Sequence, residues 1–432
     1  MNVAVIGGGY AGLAAAVTLA ERGVPVTVFE AARTLGGRAR RVEHRDLALD
    51  NGLHILVGAY GETLRLMRLV GANPEQLLLR LPFTWQIHDR LTLRAAGLPS
   101  PLHLLAGLMA ARGAPFADRL SAARFVLRMR RRSYMLERDT TVTTLLDTHG
   151  QGGPLNRLLW RPLCISALNT PPEAASAQVF LNVLRDSLDG DRGASDLLLP
   201  RVDLTRLFPD PAAEYVRARG GAVLTGHRVT AIDERESGFS VRCADQEQPF
   251  SHVICALAPY HAEAFLIGIS ALAEAAEAVG RLSYQPIYSV YLHYPAERVL
   301  PAPMLGFDSG LLQWAFDRGA LAGQHGVIGA VISAEGAHQD LPHEALAELV
   351  HQALQQQLGP LPEPSWYRVI AEKRATFACT PQLKRPESRT PLRHFLLAGD
   401  YVAGAYPGTI ETAVRSGISA ARLLLDKRDA RA

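Results

Sequence analysis

The order of apolar and polar positions divides the chain into short strands and longer helices from its first residues. Val3-Ala4-Val5-Ile6 is an apolar run rich in β-branched residues, followed at once by Gly7-Gly8-Gly9-Tyr10-Ala11-Gly12 and an apolar stretch over residues 13–22. That order reads as strand, glycine turn and helix. A second strand is expected over residues 25–29, ending at Glu30. At the far end, residues 394–398 form another apolar run closed by Gly399-Asp400, and after a loop an apolar helix runs to residue 425.

Between these ends the pattern predicts a helix at 211–219 and short strands at 222–224, 228–233, 239–243 and 252–257, expected to belong to the same domain as the chain ends. Residues 84–88 and 91–94 read as a hairpin around Asp89-Arg90, with further strands at 287–294, 311–316, 327–333 and 366–372 and helices at 273–281 and 343–358. Residues 98–138 are helical. Leu102, Leu104, Leu105, Leu108 and Met109 precede a Gly-Ala-Pro break, after which Arg119, Arg124, Arg128 and Arg130 to Arg132 share a helix with Leu120, Phe125, Val126 and Leu127. Such a pair suits a membrane surface or a cap with a solvated basic face, and the pattern leaves both open.

Charge and cysteine content narrow the classes. The 432 residues carry 45 basic and 42 acidic side chains, a net +3, which excludes a polyanion-binding surface spread over the whole protein, so no nucleic-acid partner is expected. The length allows two or three domains, and 48% hydrophobic residues suit a folded enzyme. The four cysteines, Cys164, Cys243, Cys255 and Cys379, show no zinc-ligand spacing, so no metal is expected and a reducing cytoplasmic setting fits. The uncharged run over residues 3–20 imitates a signal segment, but three glycines interrupt it and no basic region precedes it.

The glycines carry the first candidate chemistry. Gly7 allows a tight turn, Gly9 lets backbone N–H groups approach a pyrophosphate, and Gly12 lets the helix pack on the strand with its positive end toward phosphate. Glu30 lies 18 residues past Gly12, where an acid accepts hydrogen bonds from a ribose diol and disfavours a 2′-phosphate. The stretch Glu30-Ala31-Ala32-Arg33-Thr34-Leu35-Gly36-Gly37-Arg38 resembles the extended motif of the FAD-dependent amine oxidase and carotenoid desaturase superfamily, and Gly399-Asp400 with Tyr406-Pro407-Gly408-Thr409-Ile410 resembles its C-terminal flavin motif. The resemblance implies an α/β fold with a Rossmann-type, glutathione reductase-like FAD-binding domain assembled from residues 1–80, 205–265 and 385–432. A mixed-sheet substrate domain with a helical cap would take residues 81–204 and 266–384. It also implies an FAD site built from Gly7, Gly9, Ala11, Gly12, Glu30, Ala31, Arg33, Gly37, Arg38, Gly52, His54, Val229, Gly399, Asp400, Gly408, Thr409 and Ile410. Asp400 would bond the ribitol or pyrophosphate, and the backbone at Thr409 and Ile410 would lie at the flavin N1/O2 edge.

Segments outside the FAD motifs narrow the family. Leu49-Asp50-Asn51-Gly52-Leu53-His54, Trp160-Arg161-Pro162-Leu163-Cys164-Ile165, Ser195-Asp196-Leu197-Leu198-Leu199-Pro200-Arg201 and Glu372-Lys373-Arg374-Ala375-Thr376-Phe377 resemble, in order and over nearly the whole chain, the hydroxysqualene dehydroxylases of bacterial hopanoid pathways. Leu53 departs from the polar residue expected there. The implied activity is reductive loss of the hydroxyl of hydroxysqualene, an uncharged isoprenoid lipid, with carotenoid or squalene desaturation, amine oxidation or lipid carriage as alternatives. A departing hydroxyl needs a proton, and Asp50 and His54 are the candidate acids, with Lys373 and Arg374 weaker candidates for holding a water. The resemblance leaves the reductant of FAD unidentified. The expected location is the cytoplasm, with the inner face of its membrane as a contact surface.

Overall fold

The computed structural model describes residues 1–244, 246–295, 300–308 and 310–429. A five-stranded parallel sheet runs in the order Ala222–Thr225, Val26–Glu30, Val3–Ile6, His252–Cys255 and Phe395–Leu397. Parallel strands need both faces covered, which accounts for their apolar sequences: Val3–Ile6 is buried at all four positions. The helix Tyr10–Glu21 and the C-terminal helix Ile410–Asp429 pack against each other beside this sheet. The uncharged run at 3–20 is therefore divided between a strand and a helix, and among the described residues no helix is long and apolar enough to cross a membrane.

The strands expected between 222 and 257 separate into two sheets. Ala222–Thr225 and His252–Cys255 enter the parallel sheet, whereas Val229–Arg235 and Gly238–Cys243 join Gln246–Phe250 in an antiparallel sheet of their own. Gln246–Phe250 escaped the sequence reading because Gln246, Glu247, Gln248 and Pro249 give it almost no apolar signal.

A seven-stranded sheet carries the other half of the molecule, in the order Trp366–Phe377, Tyr284–His293, Val327–Ser333, Trp314–Asp317, Met304–Gly306, Thr84–Ile87 and Leu91–Arg94. Its pairings are antiparallel except Met304–Gly306 with Thr84–Ile87. The helix His343–Leu358 covers part of one face, burying Leu346, Val350 and Leu354. Beside the sheet lie the two cap helices, Leu102–Met109 and Phe116–Arg131, separated at the Gly-Ala-Pro break, and the helix Ala177–Asp189.

Candidate active site

The turn after the first strand is shaped by what a side chain would strike. Gly7 has φ +114°, and a Cβ there would lie 2.6 Å from the Ala256 carbonyl oxygen. At Gly12 a Cβ would lie 1.9 Å from the Gly7 carbonyl oxygen, so helix and strand can pack this closely only without one. Gly9 differs, because a Cβ built there would make only ordinary contact with the Gly36-Gly37 backbone, nothing nearer than 3.8 Å, so this position is not closed to a side chain. It begins a helix that has no side-chain cap and no acid in its first turn, which leaves the partial positive charge of the helix start uncompensated by a side chain. Glu30 is fixed at the rim by the N–H groups of Gly8 and Ala32, which donate to Oε2 and Oε1 at 2.7 Å each. Ala31 and Arg33 lie exposed in the bend just beyond. Val229 is buried close by, and the neighbouring His227 N–H donates to the Glu30 carbonyl at 2.8 Å.

The two ends of the chain meet beside the turn. Arg38 donates from Nη2 to Asp400 Oδ1 at 2.6 Å and from Nη1 to the Ala375 carbonyl at 2.6 Å. Burial works against the charge of Arg38, but attraction to Asp400 and their hydrogen bond outweigh it and hold the guanidinium above its ordinary range. The helices make a second contact: a Cβ at Gly417 would lie 2.0 Å from the Ala11 carbonyl oxygen. Gly399, at φ +158°, donates its N–H to Ser416 Oγ, and Gly408 sits beside the other Asp400 oxygen. Thr409 caps the C-terminal helix by accepting from Thr412 N–H at 3.2 Å.

From Thr409 the structure opens into a cavity of about 250 Å³. Phe83, Trp85, Leu105, Leu163, Val183 and Trp314 are among its apolar walls. Its ionisable side chains form one connected cluster rather than a scatter. Tyr406 donates to Asp186 Oδ2 at 2.5 Å, Arg185 reaches both of them, and Arg415 lies 5.3 Å over the Tyr406 ring while bonding Glu411 at 2.7 Å. Glu411 also accepts from the Glu62 and Thr63 N–H groups and the Thr63 hydroxyl. Burial, then the hydrogen bond to Asp186, raises the Tyr406 phenol above its usual range, and burial pushes Tyr60 up to about 12.

Residues 10–425 match the model of a family described as flavin-containing amine oxidoreductases. The chain belongs to that family. Its relatives include hydroxysqualene dehydroxylases of Rhodopseudomonas palustris, 29% identical over 98% of both chains, and of Sinorhizobium fredii, 27% identical over 99% of both. Among solved structures, an oxidoreductase from Methanosarcina mazei shares the fold, with a TM-score of 0.76 at 16% identity, covering 97% of this chain and 99% of its own. This flavin-containing oxidoreductase uses FAD. The uncapped helix start and the glycines whose side chains would collide together fit a dinucleotide pyrophosphate.

In this member of the family, neither candidate acid lines the cavity. Asp50 is buried, with Oδ1 accepting from the Leu204 N–H at 2.8 Å and Oδ2 lying 3.5 Å from Arg318. Burial pushes its carboxyl up to about 7, against the pull of Arg318 and the Leu204 hydrogen bond. His54 donates from Nδ1 to the Gly52 carbonyl at 2.7 Å, and burial, helped by the Arg38 charge, holds it below its ordinary imidazole value. The adjacent Asn51 bonds the Arg38 carbonyl, which ties this stretch to the chain-end junction. Lys373 and Arg374 are exposed, with Arg374 stacked 3.8 Å over Tyr260. Asp186, Arg185, Glu411 and Arg415 carried no sequence signal, since a charged residue within a helix looks the same whether it faces solvent or a cavity.

Proposed function

We propose that this FAD enzyme removes the hydroxyl of hydroxysqualene to give squalene. The observation that carries the reading is the cavity: apolar walls suited to an uncharged isoprenoid chain, with the ionisable groups confined to one cluster next to the chain-end junction. The names of the relatives point the same way. Both cavity carboxylates are already paired with arginines, Asp186 with Arg185 and Glu411 with Arg415. Among the described residues lining the cavity, that leaves no unpaired carboxylate for the ammonium group that an amine substrate would bring.

FAD would be held by the N–H groups at Gly9 and Ala11 on its pyrophosphate, with Gly7, whose own N–H donates to the Phe29 carbonyl, and Gly12 keeping the turn and helix close to it, and by Glu30 on its ribose. Ala31, Arg33 and Val229 would border the adenosine side. Gly37, Arg38, Gly52, His54, Gly399, Asp400, Gly408, Thr409 and Ile410 would border the remainder. Reduced FAD supplies a hydride when bound. The chain must supply a proton, because a hydroxyl leaves poorly, and a dry site in which the resulting allylic cation is not recaptured by water. Tyr406, whose phenol donates to Asp186 at the cavity wall, is the group placed to protonate the substrate hydroxyl, while Arg185 fixes both. The carbon–oxygen bond would break with that proton leaving in water, and the hydride that bound FAD would supply would make up the new carbon–hydrogen bond. Asp50 would act from behind, holding Leu204 and Arg318 in place, and His54 would be positioned by its hydrogen bond to the Gly52 carbonyl.

The test is anaerobic. Photoreduced holoprotein mixed with hydroxysqualene is expected to reoxidise stoichiometrically and yield squalene. Bleaching of the oxidised flavin by squalene or phytoene would instead identify a desaturase, and no spectral change with any lipid would leave a carrier.

A further inference from the structure

We propose that the outer face of the two cap helices docks on an anionic lipid bilayer. Large apolar side chains are exposed at few places among the described residues, and five of them fall in one stretch of chain: Leu98 42%, Leu102 55%, Phe116 60%, Leu127 39% and Met135 57%. On the helix Phe116–Arg131, the residues Phe116, Leu120 and Leu127 stand at i, i+4 and i+11 and share one line along the surface. Arg124, Arg128 and Arg131 flank that line on one side and Arg130 on the other, following the same periodicity.

The charge there is local. Residues 112–138 hold eight Arg against two acids, although the whole chain is only +3. Among the described residues, Arg130 is the one member of the Arg124 to Arg132 set that meets a carboxylate, Asp189 at 3.0 Å. Arginine stems bury along apolar surface while their heads reach phosphate, so an apolar line between arginines fits the boundary between headgroups and acyl chains. A second copy of the chain would set like charges against each other, so the charge pattern favours anionic lipid over self-association.

The inner sides of the same helices point to a use for this contact. Leu104, Leu105 and Leu108 from one helix and Val126 from the other line the cavity. Of the apolar residues that could have faced a membrane, these and the buried Phe125 therefore belong to the interior, and Leu102, Phe116, Leu120 and Leu127 form the outer face. Arg119 is likewise turned inward, donating to the Met109 and Ala111 carbonyls and tying the two helices together. A cap with a bilayer on one side and an apolar cavity on the other would let a lipid move between them without crossing water.

This inference does not depend on which lipid is converted, and it is tested without substrate. Purified holoprotein is floated with vesicles of phosphatidylglycerol and phosphatidylethanolamine, and separately with phosphatidylcholine alone. Wild type is expected to float with the anionic vesicles, to be released by high salt, and to stay in solution with the zwitterionic ones. L102D/F116D and R124E/R131E/R132E should each lower the bound fraction at least tenfold, with flavin content and melting temperature unchanged. Wild type remaining soluble with anionic vesicles, or both variants floating as well as wild type, overturns the proposal. So does a vesicle-free dimer that the substitutions dissociate while vesicle binding stays at background.

Discussion

At Gly12 a single methyl group would come within 1.9 Å of a backbone oxygen, whereas at Leu105 an entire side chain ends against a void. The two positions stand for two ways of making a site. The dinucleotide cradle is made of backbone: glycines that must lack a Cβ, a helix start that must lack a cap, and one acid held by two N–H groups. The cavity is made of side chains from widely separated segments, and its polar cluster joins residues about two hundred positions apart, such as Asp186 and Tyr406. A backbone-built site tolerates almost no change in shape but asks little of distant residues. A side-chain-built site can be reshaped without unfolding.

Substitutions should separate the two regions cleanly, and the largest effect is expected at the cradle. Gly12→Ala should purify without flavin, because its methyl group cannot be accommodated beside the Gly7 carbonyl; a full complement of flavin absorbance per protein would refute a backbone-built cradle. Leu105→Trp, which fills the cavity, should keep its flavin and melting temperature while losing turnover by roughly 100-fold or more, in line with the cost of misplacing a substrate. If flavin is lost as well, the two regions are not separable. Tyr406→Phe should reduce kcat by about 10²-fold, the lower range for removal of a positioned acid, with little change in flavin content. An unchanged kcat would move the proton source elsewhere in the cavity.

The junction between the regions should respond in stability. Arg38→Ala strands the buried Asp400 carboxylate, and because Arg38 itself is 24% exposed the cost should lie toward the lower end of the ~3–5 kcal/mol typical of broken buried pairs. Urea unfolding measures it, and a loss under about 0.5 kcal/mol, the range of an ordinary surface substitution, would make the pair incidental. The smallest effect is pH-dependent. The folded state raises the Asp50 carboxyl from 3.8 to about 7, so it binds more protons than the unfolded chain between those values. Stability should therefore fall as pH rises from about 4 to about 7 and level off above, with a slope of at most ~1.4 kcal/mol per pH unit. Asp50→Asn should flatten that slope in a series of melting temperatures, and an identical slope in the variant would assign the titration to another group.

The cradle was legible in the sequence because each of its requirements is local. Gly7, Gly9, Gly12 and Glu30 lie within one strand-turn-helix-strand unit, where backbone sterics and a helix start are set by neighbours in the chain. Gly399-Asp400 was legible for the same reason, as the close of a strand. Most strands of the seven-stranded sheet were readable from their apolar runs, whereas Gln246–Phe250, which carries no such run, was not. On the cap, helical periodicity marked the apolar and basic residues but not which of them turn inward. Leu102 and Leu105 are both leucines on one helix, yet one is exposed and the other lines the cavity.

By itself, then, the sequence determined the strand, turn and helix that can hold a pyrophosphate, the pairing of a second motif near its far end, and the excess of arginine in the cap. Only the tertiary structure decided that Arg38 reaches Asp400, that Gly417 seats against Ala11, and that Asp186, Tyr406, Glu411 and Arg415 form one cluster while Asp50 is turned away from it. The physical reason is range. Backbone conformation and helix polarity act over a few residues and leave a mark in the local order of the chain, whereas a side chain's partner is set by packing between segments hundreds of residues apart.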